Sequence, residues 1–442
     1  MGVTTTDTHR AIDAVWRIES PRLIAGLTRI VREVGVAEDL AQDALVAALE
    51  QWPKSGVPDN PGAWLMAAAK NRAIDHFRRN QRLDRKHEEL GREGIVQKVG
   101  TREVRAGEAP MDELDAALDD DVGDDLLRLV FISCHPVLST ESQVALTLRL
   151  LGGLTTDEIA RAYLVPEPTV AQRIVRAKRT LSEAQVPFEV PRGAELAARL
   201  SSVLAVIYLV FNEGYAATAG DNWLRPALCE EALRLGRILA ELAPLEPEVH
   251  GLVALMEIQA SRSRARVGPS GEPILLFDQN RAHWDQLLIR RGLAALERSE
   301  KLRSEKLRTG KTASLRGPYV LQAEIAACHA RARAPEETDW TRIVELYTAL
   351  AESAPSPVVE LNRAVAVGMA YGPAAGLELA DRLISEPALE KYHLLPSVRA
   401  DLLKKLGRLK EAQAEFERAA AMTRNVRESA LLLDRARSCN AN

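Results

Sequence analysis

An apolar stripe at helical spacing marks the N-terminal part of the chain and predicts a helix over about 37–52. Its members are Leu40, Ala44, Leu45, Ala48, Leu49 and Trp52. Upstream, Ser20-Pro21 predicts the start of another helix, ended by Gly35, because proline fits the first helical position. Downstream, a Pro-, Gly- and Asp-rich loop over 53–61 should lead into a long helix from 62 to about 83.

The rest of the chain also has helical patterning, apart from residues 84–121, which lack a sustained apolar period. A new helical domain is expected from about Val122 to Ala184, and helices should continue beyond Pro187. Helix-forming residues dominate the composition, and only 4% of residues are aromatic. The sequence therefore predicts an all-α protein.

Residues 153–179 have the pattern of two helices joined by a short turn. Thr155 and Glu158 have the spacing of a capping box, which fixes a helix start. Pro166 and Pro168 then mark the turn before a second helix. The residues expected to point inward from that helix are Val170, Ile174, Ala177 and Leu181. This pattern predicts a DNA-binding helix-turn-helix, although a plain helical hairpin with a solvated basic face remains an alternative.

Length and composition exclude several classes of protein. The 442 residues suggest about three domains, and a hydrophobic fraction of 46% with 27% charged residues is typical of globular proteins. The polar N-terminus indicates that no secretory signal is present. The sequence contains no run of about 18 uncharged apolar residues, so no membrane span is expected. The widely spaced Cys134, Cys229, Cys328 and Cys439 indicate reduced thiols in a cytoplasmic protein, with no metal site.

The net charge of −4 conceals a strong segregation of charge along the chain. Residues 62–82 contain five basic side chains and one acidic one, and residues 168–179 contain four basic side chains and no acidic one. Between them, residues 112–125 contain eight acidic side chains and no basic one. Trp64 and Phe77 are interspersed among the basic residues of 62–82. A helix with this composition suits binding to a phosphate backbone and to unpaired bases. Taken alone, however, both rings are better explained as core residues beneath a solvated basic face.

Taken together, the first 184 residues resemble a bacterial sigma factor of the extracytoplasmic-function type. Residues 36–52 resemble the core helix of sigma domain 2, residues 63–79 the adjacent helix that reads and melts the −10 element, and residues 153–179 the helix-turn-helix of domain 4 that reads the −35 element. The resemblance implies domain 2 over 1–90, a linker over 91–121, domain 4 over 122–186 and an extension over 187–442. It also implies binding to core RNA polymerase and promoter DNA, with no cofactor.

The resemblance assigns expected roles to individual residues. The surface for the clamp helices of the largest polymerase subunit would be formed by Asp39, Gln42, Asp43 and Val46. The −10 element would be contacted by Trp64, Lys70, Asn71, Arg72, Asp75, Arg78 and Arg79. The −35 element would be contacted by Thr169, Gln172, Arg173, Arg176, Lys178 and Arg179. The acidic residues 112–121 would suit the basic channels that hold RNA, unless they serve only solubility.

The C-terminal 250 residues contain a sequence pattern similar to that of tetratricopeptide repeats, in which pairs of helices stack into a solenoid. The matching positions are Trp340, Ile343, Tyr347, Ala351 and Pro355, then Gly407, Leu409, Ala412, Phe416 and Ala419. Residues 209–222 resemble the region after domain 4 in sigma factors with such an extension. This block is expected to regulate through a protein partner or an intramolecular contact.

Other readings of the chain remain open. Arg262, Arg264 and Arg266, and the triplet His283-Trp284-Asp285, are expected on the solvated surface. No catalytic motif is present, so an enzyme within 190–442 rests on length alone. A helix-turn-helix regulator with a solenoid effector domain is the main alternative to a sigma factor. It leaves the domain 2 pattern unexplained.

Overall fold

The computed structural model describes residues 5–91, 122–163, 165–308 and 316–440. Across these residues the backbone is almost entirely helical, which confirms the predicted all-α class. The chain forms two compact units: Met1–Arg161 with Val165–Val206, and Ala162–Leu164 with Ile207–Asn442. The acidic segment 112–121 lies outside the described residues, so its expected place in a polymerase channel stays a prediction.

The N-terminal part of the described chain consists of eight helices. They are α1 (Thr5–Val31), α2 (Val34–Ser55), α3 (Pro61–Gly91), α4 (Val122–Ser133), α5 (Thr140–Leu150), α6 (Thr156–Tyr163), α7 (Glu167–Glu183) and α8 (Gly193–Tyr215). Helix α1 packs on α2, α3 and α4, and α5 packs on α7. The largest fully buried side chains of this unit include Leu27, Trp52, Leu65 and Phe131.

The predicted helix start at Ser20-Pro21 is wrong. Pro21 lies inside α1, which begins at Thr5 and ends at Val31. The helix spans the proline because both its ends are held by packing: Ile12 lies before it, Leu23 and Leu27 after it, and all three are buried. Gly35 does not end the helix either, since Arg32 breaks the backbone with a φ of 57° and Gly35 belongs to α2.

The C-terminal part of the described chain consists of ten helices and two very short strands. The helices are α9 (Pro226–Leu242), α10 (Pro247–Ala260), α11 (Gln286–Arg308), α12 (Pro318–Arg331), α13 (Trp340–Ser353), α14 (Pro357–Ala370), α15 (Pro373–Arg382), α16 (Leu394–Lys405), α17 (Leu409–Met422) and α18 (Val426–Ser438). The strands are β1 (Ala219–Gly220) and β2 (Arg424–Asn425).

Consecutive helices of this second unit pack on one another around successive apolar clusters. Leu255 and Leu296 belong to the cluster around α10, α11 and α12, Ile343 and Leu346 to the next, and Phe416 to the last. Ala412, Phe416 and Ala419 are fully buried, and the preceding Gly407 has a φ of 76° that favours glycine. This packing suits helical repeats, and the assignment to tetratricopeptide-like repeats stays a prediction.

A parallel β1–β2 pairing ties the beginning of the second unit to its last helix. Ala219 pairs with Arg424, and Gly220 pairs with Asn425. The buried Asn425 side chain donates to the carbonyl oxygens of Ala217 and Asn222 at 3.0 and 2.9 Å. Its Oδ1 also accepts from the first backbone amides of α18, so one side chain both caps a helix and closes the unit.

One described helix segment, Glu195–Tyr215, is long and apolar enough to cross a membrane by length and composition. This is weak evidence, because the core helices of soluble proteins meet the same criterion. Within the segment, 44% of the apolar window is already buried in the protein.

Candidate polymerase and promoter interfaces

Helix α2 presents an exposed stripe that contains the predicted polymerase-binding residues. Asp39, Asp43 and Val46 are exposed, whereas Leu40, Ala44, Ala47, Ala48 and Trp52 are buried on the opposite side. The spacing of four and three residues places the three exposed side chains in one row. Gln42 lies at the edge of this row, half-buried, and donates a hydrogen bond of 2.6 Å to Oε1 of Glu38.

Glu50 belongs to the same exposed row, although the sequence pattern does not single it out. It is exposed and lies four residues after Val46, one helical turn further along. Extending the spacing Asp39, Asp43, Val46 by one more step would have found it. The row therefore carries three carboxylates around one apolar side chain.

A cleft of 670 Å³ lies between α2 and α3. It brings residues predicted for two different partners to one surface. The polar residues that line it are Asp43, Gln51, Asn71, Arg72 and Asp75. Asp43 and Arg72 form an ion pair of 3.6 Å in which both side chains are about half exposed. Such an exposed ion pair contributes little to stability, so either side chain can leave it and bind another partner.

The ring of Trp64 forms one wall of this cleft. It meets the buried ring of Trp52 edge-on, with 5.3 Å between centroids and 70° between planes. Trp64 is half-buried, which fits the alternative that its ring packs against the core while one side still faces the cleft.

The other predicted −10 residues of α3 differ in exposure. Asn71 and Arg72 are exposed, Lys70 is half-buried, and Arg78 is exposed 4.0 Å from Asp75. The side chains of Phe77 and Arg79 lie outside the described part of the chain.

The helix-turn-helix has the predicted local structure. Thr155 Oγ1 accepts from the backbone amide of Glu158 at 3.1 Å, and Glu158 Oε2 accepts from the amide of Thr155 at 2.8 Å. This confirms the capping box. In α7 the buried residues are Val170, Ile174, Ala177 and Leu181, as the pattern indicated.

The predicted −35 residues of α7 fall into two groups. Gln172, Arg176 and Arg179 are exposed, and Arg179 forms an ion pair of 2.7 Å with Glu183 one turn later. Thr169, Arg173 and Lys178 are half-buried. The exposed group therefore presents long donors on the free face of the second helix.

Lys178 reaches a buried carboxylate on α2. Its Nζ lies 2.5 Å from Oε2 of Glu38, whose side chain is only 3% exposed. Arg149 of α5 donates to Oε1 of the same carboxylate at 2.7 Å. Burial disfavours the charged form of Glu38, but Lys178 and Arg149 outweigh it through charge and hydrogen bonding, so the pKa of Glu38 is lowered. The sequence pattern predicts Lys178 at the −35 element and gives Glu38 no role, whereas the structure pairs the two side chains.

Comparisons with known proteins agree with this arrangement. A family model described as Sigma-70 region 2 matches residues 16–83, and one described as Sigma-70, region 4 matches residues 128–181. A family of unknown function (DUF6596) matches residues 199–300. No solved structure shows significant similarity.

Two relatives match the chain to different extents. Uncharacterized protein R00370 of Rhizobium meliloti is 42% identical over 412 residues, which cover 93% of this chain and 92% of that protein. The Probable ECF RNA polymerase sigma factor SigI of Mycobacterium tuberculosis is 25% identical over 181 residues, covering 40% of this chain and 57% of that protein.

The two sigma-70 regions occur in the expected order, on the helices whose exposed faces were described above. They imply binding to core RNA polymerase and promoter DNA, which is the work of a transcription initiation factor rather than of an enzyme. The chain belongs to the extracytoplasmic-function type of the sigma-70 family and carries a C-terminal helical extension.

Proposed function

We propose that the exposed row of α2 is the surface that docks on the clamp helices of the largest polymerase subunit. Asp39, Asp43 and Val46, with Gln42 at the edge, combine negative charge with an apolar contact. The observation that carries this proposal is their exposure in one row, opposite the buried side of the same helix. Glu50 extends the row by a further turn.

The −10 element is assigned to the cleft between α2 and α3. Asn71 and Asp75 supply short donors and acceptors, and Arg72 and Arg78 supply charge for phosphates. The half-buried ring of Trp64 offers a stacking surface for an unpaired base. Lys70 and Arg79 complete the basic helix by sequence.

The −35 element is assigned to α7, which would lie in the major groove. Gln172 and Arg176 have the length and the exposure to reach base edges, and Arg179 suits a phosphate. Thr169, Arg173 and Lys178 border this face and would add contacts once their present packing is released.

The C-terminal unit is proposed to be a regulatory module that binds a protein or another part of the same chain. Its support is the stack of packed helices, which offers an extended surface, and the excess of length over regions 2 and 4. The protein is proposed to act in the cytoplasm, where its polymerase is found.

Capture of core polymerase in the absence of DNA tests the α2 surface. Asp43→Arg and Val46→Glu should each weaken capture at least about tenfold, because each places a repulsive or polar group in the contact. Asp13→Arg on the exposed face of α1 is the control with the same charge change. Equal capture by Asp43→Arg and Asp13→Arg would reject the proposed surface.

In-vitro transcription tests the C-terminal module. A chain that ends at Val206 keeps the bond from Arg199 to the carbonyl of Phe131, which fastens α8 to α4. Promoter-specific output from this chain should differ from that of the full chain. Identical output, with both chains binding core polymerase equally, would contradict regulation by the C-terminal unit.

A further inference from the structure

A buried arginine lies among aromatic rings in the second unit. Arg262 follows the end of α10, and only 9% of its surface is exposed. Its guanidinium carbon lies 5.8 Å from the ring centroid of Tyr215 and 5.7 Å from that of Trp284. The expectation of a solvated surface here is wrong for Arg262 and Trp284, which are both buried, and right for Arg264, which is exposed.

Among the residues that the structure describes, none supplies a counter-charge to Arg262. In the described ranges, no carboxylate lies within ion-pair distance of it, and its Nε has no hydrogen-bond partner. The charged side chains that act on it are Arg266 and Arg281, which have the same sign. Burial lowers the pKa of Arg262 most strongly. Tyr215 and Tyr347 act in the opposite direction, and Arg266 and Arg281 lower the pKa further.

The two neighbouring arginines, Arg281 and Arg266, make different contacts. Arg281 is held in place because its Nη1 donates to the carbonyl oxygens of His329 and Ala332 at 2.7 and 2.6 Å. Arg266 contacts the ring of Tyr215 as well, with its guanidinium carbon 3.6 Å from the ring centroid. Arg266 is half-buried, and its Nε also lacks a hydrogen-bond partner.

Further polar atoms around Arg262 are buried without a partner among the described residues. They are the Tyr215 hydroxyl, Trp284 Nε1 and His329 Nδ1. His329 does not add to the positive charge, because burial, Arg262 and Arg281 lower its pKa to about 3 and keep the ring neutral. Buried polar groups are nearly always hydrogen-bonded, and several unpartnered ones, most of them donors, at one place call for an acceptor.

The aromatic rings alone do not meet this need. Cation–π contact attracts a guanidinium to the face of a ring, but a ring face accepts none of the strong hydrogen bonds that the guanidinium N–H groups can make. An oxyanion supplies both the negative charge and the acceptors, and it matches the planar fork of an arginine.

We propose that Arg262 and Arg266, flanked by the rings of Tyr215 and Trp284, form a binding site for a small oxyanion, the phosphate or carboxylate group of a small molecule. Burial of Arg262 excludes a macromolecular surface and favours a small ligand. The site lies within the matched family of unknown function, and it is independent of how the chain binds polymerase or DNA.

Calorimetric titration of the full chain at constant ionic strength tests the site. The probes are inorganic phosphate, glycerol 3-phosphate and succinate, which separate a free phosphate, a phosphate monoester and a carboxylate. At least one should bind saturably at one site per chain. Arg262→Gln should weaken that binding about tenfold or more, equivalent to about 1.4 kcal/mol. Arg264→Gln, an exposed arginine two residues away, should leave binding within about twofold of the unchanged chain.

The comparison of these two variants also removes a trivial explanation. Phosphate held loosely by the basic faces of α3 or α7 would be insensitive to Arg262→Gln. Circular dichroism checks that Arg262→Gln is folded, and Arg266→Gln, at a half-buried position, replaces it if it is not. Absence of saturable binding for all three probes, or equal weakening by Arg262→Gln and Arg264→Gln, would overturn the proposed site.

Discussion

Lys178 Nζ of the second helix of the helix-turn-helix lies 2.5 Å from Oε2 of Glu38 on α2. A residue of sigma-70 region 4 is thus paired with a residue of region 2, and Arg149 binds the other oxygen of the same carboxylate. The pair fixes these helices within the first compact unit. It also occupies a lysine that the sequence alone would assign to DNA.

Replacement of Glu38 by Gln should destabilise the first unit. The amide keeps the shape but removes the charge that Lys178 and Arg149 neutralise. Both cations are partly exposed and can be rehydrated, so we expect a loss of about 1–3 kcal/mol in the free energy of unfolding, measured in urea. Glu50→Gln, at an exposed position of the same helix, should change it by less than about 0.5 kcal/mol. Equal stability of both variants would show that the buried pair contributes nothing.

The same carboxylate should make the first unit sensitive to acid. The pKa of Glu38 is lowered in the folded state, so its contribution is fully present above the ordinary value of 4.5 and is lost as the pH falls through the folded value. The difference in unfolding free energy between the unchanged chain and Glu38→Gln should therefore shrink below about pH 4.5. A difference that stays constant down to pH 3 would contradict the lowered pKa.

His329 should cause a separate loss of stability as the pH falls, beginning at higher pH values than the loss caused by Glu38. The folded chain holds it neutral, with a pKa of about 3, beside Arg262 and Arg281, whereas the unfolded chain takes up a proton near pH 6.5. The unfolded state therefore binds more protons as the pH falls below 6.5, and stability should fall by up to roughly 1.4 kcal/mol per pH unit. His329→Asn should flatten the profile between pH 7 and 5, and His283→Asn, at an exposed position, should not.

Asn425→Ala should destabilise the second unit by about 2 kcal/mol or more. The change removes the cap of α18 and leaves the carbonyl oxygens of Ala217 and Asn222 without their donor. Thermal unfolding of the full chain measures the effect. Asn440→Ala, at the exposed end of the described chain, is the matched control, and equal melting temperatures for both variants would refute the closing role of Asn425.

Arg176→Ala should weaken binding to a promoter fragment that carries the recognised −35 element by about 1–3 kcal/mol. Arg176 is exposed on the free face of α7, where it can reach base edges. Quantitative electrophoretic mobility shifts of the polymerase complex measure the change. Arg418→Ala, at an exposed arginine of α17, serves as control. If Arg176→Ala weakened binding to all DNA sequences by the same factor, Arg176 would contact phosphate rather than bases.

Local sequence patterns were sufficient to predict much of the structure of the first unit. The capping box of Thr155 and Glu158 and the buried side of α7 depend on residues a few positions apart, so the sequence predicted them. The helix start at Ser20-Pro21 failed for the same reason. Packing of Ile12 and Leu23 on distant helices outweighs the local preference of proline.

On α2 the expected apolar stripe includes Leu49, which is 39% exposed, so the stripe was only partly right. By itself, the sequence determined that this protein is all-helical, that it carries sigma-70 regions 2 and 4, and which side of α7 is buried. These properties follow from helical periodicity and from the order of charged segments along the chain. Only the tertiary structure decided that Lys178 meets Glu38, that Arg262 is buried beside aromatic rings, and that Asn425 closes the second unit. Each of these contacts joins residues that are far apart in the chain, and no local pattern encodes which distant groups will share a buried position.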